Sequence, residues 1–241
     1  MAVPPSLSAR DHFDRISSIY ERLIGRPTRE ISQYLLTLTP PLGGDAVVLD
    51  NACGPGIVTE EILKLDSQRS DGRHQIKVYA VDMAPSMIAS MKNKCSIKGW
   101  TNVECEVMNA QDLTFADGMF NQIFMNFGIF FLPDAEKGAA QIHRTLKPGG
   151  VAVVTSWAKL GFLLNFHEAQ KRIRPDMPLF TVPWSDDWQS EWKLRHVLEA
   201  GGFKAQNIEI ATKVTTALGR ALEESADIFV HVFSRGYRWM V

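Results

Sequence analysis

Short apolar runs alternate with helical patterns from residue 47 onward. Runs rich in apolar and β-branched residues predict five β-strands, at 46–50, 77–82, 103–107, 122–127 and 151–157. The first and last runs are almost continuously apolar, which is typical of strands buried on both faces of a sheet. Because helical patterns separate most of the strands, we expect an α/β fold with a doubly wound, Rossmann-like, mainly parallel sheet and right-handed crossovers.

Two of the intervening helices carry clear end signals. Pro85 stands at the first helical position of "PSMIASMKNKCSIKG", and Gly99 closes that segment where a left-handed C-cap favours glycine. Asp134 begins a second helical pattern, which stops at a Pro-Gly-Gly sequence before the fifth strand. The pattern also predicts a later helix, a sixth strand and a final helix, at 192–203, 207–216 and 221–233.

The chain before the first strand has a pattern of its own. Two helical stretches, "DHFDRISSIYERL" and "TREISQYLLTL", end at the Pro/Gly-rich connector "TPPLGGD". We therefore divide the chain into an N-terminal helical lid, residues 1–45, and a Rossmann-like domain, residues 46–241. Within that domain an aromatic-rich stretch broken by prolines, residues 158–190, is expected to form a roof insertion.

Composition and charge favour a small-molecule partner. The chain has 26 basic and 27 acidic residues, a formal net charge of -1, whereas a nucleic-acid-binding protein needs a basic face. No apolar run approaches the length of a membrane span, and the three cysteines indicate free thiols in a reducing compartment. We expect a cytoplasmic protein without nucleic-acid or membrane partners, and leave open whether it is a monomer or a homodimer.

A glycine turn follows the first strand in the segment "VVLDNACGPGIVTEEIL". Gly54 and Gly56 let the backbone approach a ligand closely, and the helix that begins near Ile57 offers free N–H groups. A dinucleotide fingerprint requires glycine or alanine at position 59, which is Thr59 here. This weakens the nicotinamide-dependent oxidoreductase hypothesis. A tight turn without any ligand is the structural alternative.

Two acids end the first two strands. Asp50 disfavours a close pyrophosphate but suits a cation or a ligand ammonium group. Asp82 has two carboxylate oxygens that can accept from both hydroxyls of a ribose, although an acid before the helix at Pro85 also has a purely structural explanation. Together with the glycine turn, the two acids predict a ribose-bearing cofactor that needs no diphosphate.

Several motifs in order resemble those of class I S-adenosylmethionine-dependent methyltransferases, of the small-molecule type that includes ubiquinone and menaquinone biosynthesis enzymes. The motifs are "FDRISSIYERL", "VLDNACGPG", "VDMAPSMI", "NAQDLTF", "NFGIFFLPD" and "LKPGG". "DNACG" and a "GW" before the third strand are also similar to fungal secondary-metabolite enzymes, including gliotoxin thiol methyltransferases. The chain departs from this family because no seventh, antiparallel strand is evident after "HVFSRGYRWMV". Three alternatives are open: "GYRWMV" serves in its place, the strand is absent, or the chain has been shortened.

The resemblance implies S-adenosylmethionine as the cofactor and assigns residues to it. The methionine end would be lined by Asp50, Ala52, Gly54 and Gly56. Asp82 would hold the ribose and Met83 would contact the adenine ring, with Asn109 and Ala110 beside the adenine amino group. Asn126 and Phe127 would lie near the sulfonium and the acceptor. No metal is implied.

The chemistry of methyl transfer requires little from the protein. The cofactor supplies the electrophile and the leaving group, so proximity and orientation in a closed cleft suffice for a small apolar or aromatic acceptor, through O, S, N or C. Tyr20 and His167 are the candidate catalytic residues, and each also has a structural explanation. A protein that binds the cofactor without methylating, regulatory or pericyclase-like, is the alternative function.

Overall fold

A five-stranded, fully parallel sheet lies at the centre of the computed structural model, which describes residues 8–68, 76–182 and 184–215. Its spatial order is β3-β2-β1-β4-β5. The strands are β1 (Val47–Asn51), β2 (Lys77–Asp82), β3 (Val103–Val107), β4 (Phe120–Met125) and β5 (Leu146–Val154). The strand order reverses between β1 and β4, and ligands of open α/β sheets bind at the carboxyl ends beside that switch point.

Seven α-helices flank the sheet in the described residues. They are α1 (Ala9–Ile16), α2 (Tyr20–Leu38), α3 (Ile57–Ser67), α4 (Pro85–Lys98), α5 (Ala135–Thr145), α6 (Gly161–Ile173) and α7 (Glu191–Ala200). The predicted end signals are confirmed for two of them. Gly99 has a φ of 68° at the C-cap of α4, and the Asp134 side chain accepts from the Lys137 N–H at the start of α5.

The fifth strand begins earlier than the sequence pattern predicts. It runs over Leu146–Val154 rather than 151–157, because the "LKPGG" segment joins the sheet directly after α5. Leu146 pairs with Phe120 and Val151 with Gln122, so extra residues bulge out there, and Gly149 adopts a φ of 76°. The expectation that this strand is buried on both faces is also wrong. Its residues are half-buried or exposed, and β5 is the edge strand of the sheet within the part of the chain that the structure describes.

The predicted sixth strand is not formed. Within the described residues, 208–215 join no sheet, and a 3-10 turn occupies Ala205–Asn207. The segment instead contacts α2, where the Lys213 ammonium lies 5.4 Å from the centroid of the Tyr34 ring. The predicted helix at 221–233 lies outside the described residues.

The two N-terminal helices pack in different ways. On α2, Ile31 and Leu35 are buried in one cluster with Val48 of β1, Ile62 of α3 and Phe124 of β4. Helix α1 instead packs near the start of α4, in a small separate cluster. Helix α2 is therefore part of the main core, and only α1 has the peripheral position expected of a lid.

Core membership of α2 predicts a stability difference between two leucines. Leu35 is 4% exposed and Leu38 is 46% exposed on the same helix. We expect Leu35→Ala to lower the free energy of unfolding by about 2 to 4 kcal/mol and Leu38→Ala by less than about 0.5 kcal/mol, as measured by urea denaturation. Similar small losses in both variants would contradict the placement of α2 in the core.

Candidate active site

A cleft of about 560 Å³ opens at the carboxyl ends of β1, β2 and β4. The lining is mostly apolar, which is typical of small-molecule sites. Of the sequence-predicted cofactor residues, those that line it are Ala52, Gly54, Asp82, Met83, Ala110, Asn126 and Phe127. The structure thus brings together side chains that are up to three strands apart along the chain.

A second cavity of about 270 Å³ adjoins the first. The two share lining residues Tyr20, Ala52, Gly54 and Asn126. The second cavity adds Asp50 and, from α2, Thr28. One wall of the site is therefore polar and acidic, and it lies between the glycine turn and α2.

The two glycines of the turn have different roles. A Cβ on Gly54, at φ 53°, would meet nothing within 4 Å, so it would project into open space. A Cβ on Gly56, at φ 84°, would lie 2.0 Å from the Met91 sulfur of α4. Gly54 therefore keeps the cradle open for a ligand, whereas Gly56 allows close packing of the turn on α4 and is not among the lining residues.

Two non-glycine residues with left-handed backbone lie at adjacent strand ends. Ala52 follows β1 and Phe127 follows β4, each with a φ of 59°. The two loops approach each other closely, since a Cβ on Gly128 would lie 2.7 Å from the Ala52 Cβ. Such conformations are unfavourable for residues with a side chain and cluster at functional sites.

A hydrogen-bond network supports the Phe127 backbone. The Phe127 N–H donates to the Thr155 hydroxyl at 2.8 Å, and that hydroxyl donates to the Asn126 amide oxygen at 2.8 Å. The Asn126 amide nitrogen in turn donates to the Ser32 hydroxyl of α2 at 3.1 Å. The Phe127 ring stacks on Trp157 at 3.9 Å between centroids. Asn126 thus joins β4, β5 and α2 below the cleft.

The Asp82 carboxylate bridges the loops after β1 and β2. One oxygen accepts from the Gly54 N–H at 2.9 Å, and the other accepts from the Ala84 N–H at 2.9 Å. Burial raises the pKa of Asp82, and these backbone hydrogen bonds partly oppose that rise. The carboxylate is held rigidly at the edge of the cleft, with further lone pairs for a ligand hydroxyl.

The Asp50 carboxylate explains the identity of residue 59. One oxygen accepts from both the Thr59 N–H, at 3.0 Å, and the Thr59 hydroxyl, at 2.7 Å. The residue in place of the third fingerprint glycine is therefore a hydrogen-bond donor that ties β1 to the first turn of α3, a role not evident in the sequence. Burial raises the pKa of Asp50 to about 6.

Asn109 lies beside the cleft without lining it. Its side chain is exposed, and its amide oxygen accepts from the Gln111 N–H at 3.0 Å. The apolar neighbours Met108 and Ala110 line the cleft instead. Met108 was not predicted from the sequence, because the alternation around a strand end does not show which side chain faces inward.

The two candidate catalytic residues have different locations. Tyr20, the first residue of α2, lines both cavities. Burial raises the pKa of its hydroxyl, and the negative charge of nearby Asp82 raises it further. It is therefore a neutral hydrogen-bonding group. His167 on α6 lies outside both linings, and its Nε2 is 2.7 Å from the Phe180 carbonyl oxygen. That contact connects α6 to the loop that follows it.

Other lining residues were not among the predicted catalytic and cofactor-binding residues. They are Phe13, Met87, Met108, Gly128, Phe131 and Leu132. Phe13 and Phe131 were visible within the quoted motifs, but a motif does not show which aromatic side chains face a cleft.

In the described ranges no group of three or more potential metal ligands occurs, and no helix is long and apolar enough to cross a membrane.

Comparison with known proteins supports the assignment of the fold and the class. Residues 48–150 match a family described as a methyltransferase domain. The methyltransferase tpcH of Aspergillus fumigatus is 25% identical over 176 residues, which cover 69% of this chain and 60% of the relative. The acetylaranotin bis-thiomethyltransferase of Aspergillus terreus is 28% identical over 172 residues, covering 69% and 56%. This chain thus matches somewhat more than half the length of each.

The fold likeness extends over most of the chain. The crystal structure of a methyltransferase dependent on S-adenosylmethionine from Aquifex aeolicus has a TM-score of 0.55 at 19% identity, and covers 82% of this chain and 90% of the other. The fold is the Rossmann-like fold of class I S-adenosylmethionine-dependent methyltransferases, and residues 48–150 match a methyltransferase domain.

The raised pKa of Asp50 predicts a pH-dependent stability difference. In Asp50→Asn an oxygen remains to accept from Thr59, but the charge is lost. Because the folded pKa of about 6 exceeds the unfolded value near 3.8, ionised Asp50 destabilises the fold at neutral pH. Wild type should therefore gain about 2 to 3 kcal/mol relative to the variant as the pH falls from 7 to 4.

Urea denaturation of both proteins at several pH values measures this gain. Asp176→Asn, at an exposed position after α6, serves as the control and should follow wild type across the range. A difference between wild type and Asp50→Asn that does not change with pH would contradict the raised pKa.

Proposed function

We propose that this protein binds S-adenosylmethionine in the cleft and transfers its methyl group to a small, largely apolar or aromatic metabolite. The observation that best supports this proposal is the position of the Asp82 carboxylate. It accepts hydrogen bonds from the Gly54 and Ala84 N–H groups, and it lies beside the open space at Gly54. A preorganised acid at the end of β2 is suited to a ribose, and the turn leaves room for a ligand at the end of β1.

The lining fits the two ends of this cofactor. Around Asp82, the apolar groups Met83, Met108 and Ala110 provide a surface for an adenine ring. In the adjoining cavity the buried Asp50 carboxylate would attract a cationic amino-acid end, and Tyr20 offers a neutral hydroxyl. The cofactor, when bound, supplies an electrophilic methyl group and a neutral thioether leaving group.

The acceptor side of the cleft is aromatic. Phe13 of α1 and Phe131 of the 3-10 turn Ile129–Phe131 contact edge to face, with centroids 4.9 Å apart, and both line the cleft. Phe127 is held in place by its stack on Trp157. Flat apolar rings on these walls favour a flat or apolar acceptor, and they exclude water from the reacting atoms.

The described lining of the main cleft offers little general-base chemistry. Its ionisable side chains are Tyr20, whose pKa burial raises, and Asp82, whose two oxygens accept backbone hydrogen bonds. An acceptor that is already nucleophilic near neutral pH suits such a cleft. A thiol, with a pKa of about 8.5, meets that condition more easily than an aliphatic hydroxyl. The printed name of the A. terreus relative also describes thiol methylation.

Removal of the Asp82 carboxylate tests cofactor binding. We expect Asp82→Ala to bind S-adenosylhomocysteine about 100-fold more weakly than wild type in isothermal titration, because two charge-assisted hydrogen bonds of about 1.5 kcal/mol each are lost. Asp176→Ala is the exposed control and should bind like wild type. Wild-type protein that binds no S-adenosylhomocysteine, or an Asp82→Ala variant with unchanged affinity, would contradict the proposal.

Turnover is tested separately from binding. Purified protein is incubated with S-adenosylmethionine and a matched set of aromatic thiols, phenols and amines, and mass spectrometry detects products heavier by one methylene. Methylated product from one acceptor class supports the transferase and identifies the acceptor atom. Tight cofactor binding without product from any class would support the alternative function, a cofactor-binding protein that does not methylate.

A further inference from the structure

A direct polar contact joins α1 to the start of α4. The Asp14 carboxylate accepts from the Ser86 N–H at 2.9 Å and from the Ser86 hydroxyl at 2.6 Å. The same hydroxyl lies 3.1 Å from the Asp14 carbonyl oxygen. We propose that Asp14 is a positioning residue, which acts through Ser86 to hold α1 over the cleft and so controls the release of the cofactor. This inference rests on the proposed function.

Helix α4 depends on Asp14 for its cap. Its own N-cap residue, Ala84, has no side chain that can accept a hydrogen bond, and Pro85 has no N–H. The first free N–H of α4 is therefore that of Ser86, and Asp14 accepts from it. A carboxylate at a helix N-terminus is favoured by hydrogen bonding and by the helix dipole.

Asp14 is poorly placed for α1 considered alone. It lies near the C-terminal end of the eight-residue helix Ala9–Ile16, where the helix dipole disfavours a negative charge. So short a helix has little stability by itself in water. The contact with α4 therefore has a large share in positioning α1, together with the apolar packing of Ile16 on Ala84 and Met87.

The contact lies between two residues that line the cleft. Phe13 precedes Asp14 and Met87 follows Ser86, and both side chains are in the lining. Asp82, the last residue of β2, lies four positions before Ser86 and accepts from the Ala84 N–H. A loss of the Asp14–Ser86 contact would thus free the Phe13 side of the cleft beside the proposed ribose site.

The packing of the two N-terminal helices identifies which one can move. Helix α2 is anchored in the main core by Ile31 and Leu35 and by the Arg29 guanidinium, which forms ion pairs with Glu60 and Glu61 of α3 at 2.8 and 2.6 Å. Helix α1 is joined to it by the short turn at residues 17–19. Motion of α1 about that turn requires no opening of the main core.

The test compares the release of tritiated S-adenosylhomocysteine from four proteins. Asp14→Ala removes the acceptor, and Ser86→Ala removes the hydroxyl but keeps the N–H. Asp11→Ala is the matched control, because Asp11 is an exposed acid on the same helix. Its carboxylate accepts a hydrogen bond from the Ser8 hydroxyl. Circular dichroism and thermal unfolding of the cofactor-free proteins establish that each is folded. Isothermal titration of wild type provides the reference affinity.

We expect release to be about tenfold faster from Asp14→Ala and about threefold faster from Ser86→Ala, with Asp11→Ala like wild type. In the double variant Asp14→Ala/Ser86→Ala the acceleration should be smaller than the product of the two single effects, because both changes remove the hydrogen bond between the Asp14 carboxylate and the Ser86 hydroxyl. A merely structural role would lower the unfolding temperature without this pattern. If Asp14→Ala does not fold, the release rates of Ser86→Ala and Asp11→Ala are compared with that of wild type instead.

Release rates equal to wild type in both Asp14→Ala and Ser86→Ala would overturn the inference. An equal acceleration of release in Asp11→Ala would overturn the inference as well, since the Asp11 side chain accepts a hydrogen bond from Ser8 and not from α4 among the described residues. Both results leave cofactor binding by wild type intact. Absence of binding by wild type is a different outcome, and it refutes the proposed function together with this inference.

Discussion

The carboxylate of Asp82 is the contact on which the site depends. It accepts from Gly54 after β1 and from Ala84 after β2, and so it connects the two loops that form the cradle. Without it, two backbone N–H groups in largely buried surroundings would lose their acceptor, a cost comparable to that of a lost hydrogen bond each. A single buried acid thus organises the cradle before any ligand enters.

Buried acids give the cleft a preference for cations. Desolvation raises the pKa of both Asp50 and Asp82. Negative charge on these side chains in a partly apolar site therefore lowers the free energy of unfolding. A cationic ligand would lower that cost, whereas a pyrophosphate would increase it. The same acids also have structural roles, because Asp50 accepts from Thr59 at the start of α3.

The other side of the cradle depends on the N-terminal helices. Ser32 of α2 supports Asn126, and Asn126 with Thr155 holds Phe127 in a left-handed conformation. Helix α2 is therefore a permanent part of the site, although the sequence pattern places it before the Rossmann-like domain. Helix α1 contributes Phe13 from the periphery of the fold. The wall of the cleft that α2 forms is therefore fixed in the core, whereas the wall that α1 forms can move away.

The sequence by itself determined the first four strands, the glycine turn and Asp82, because apolar runs, glycines and strand-end acids are local signals with direct structural meaning. Only the tertiary structure decided the features that depend on neighbours distant along the chain. Gly56 packs against Met91, His167 pairs with a loop carbonyl away from the cleft, and the residues of β5 are half-buried or exposed. A pattern along one chain does not show which surface another element covers.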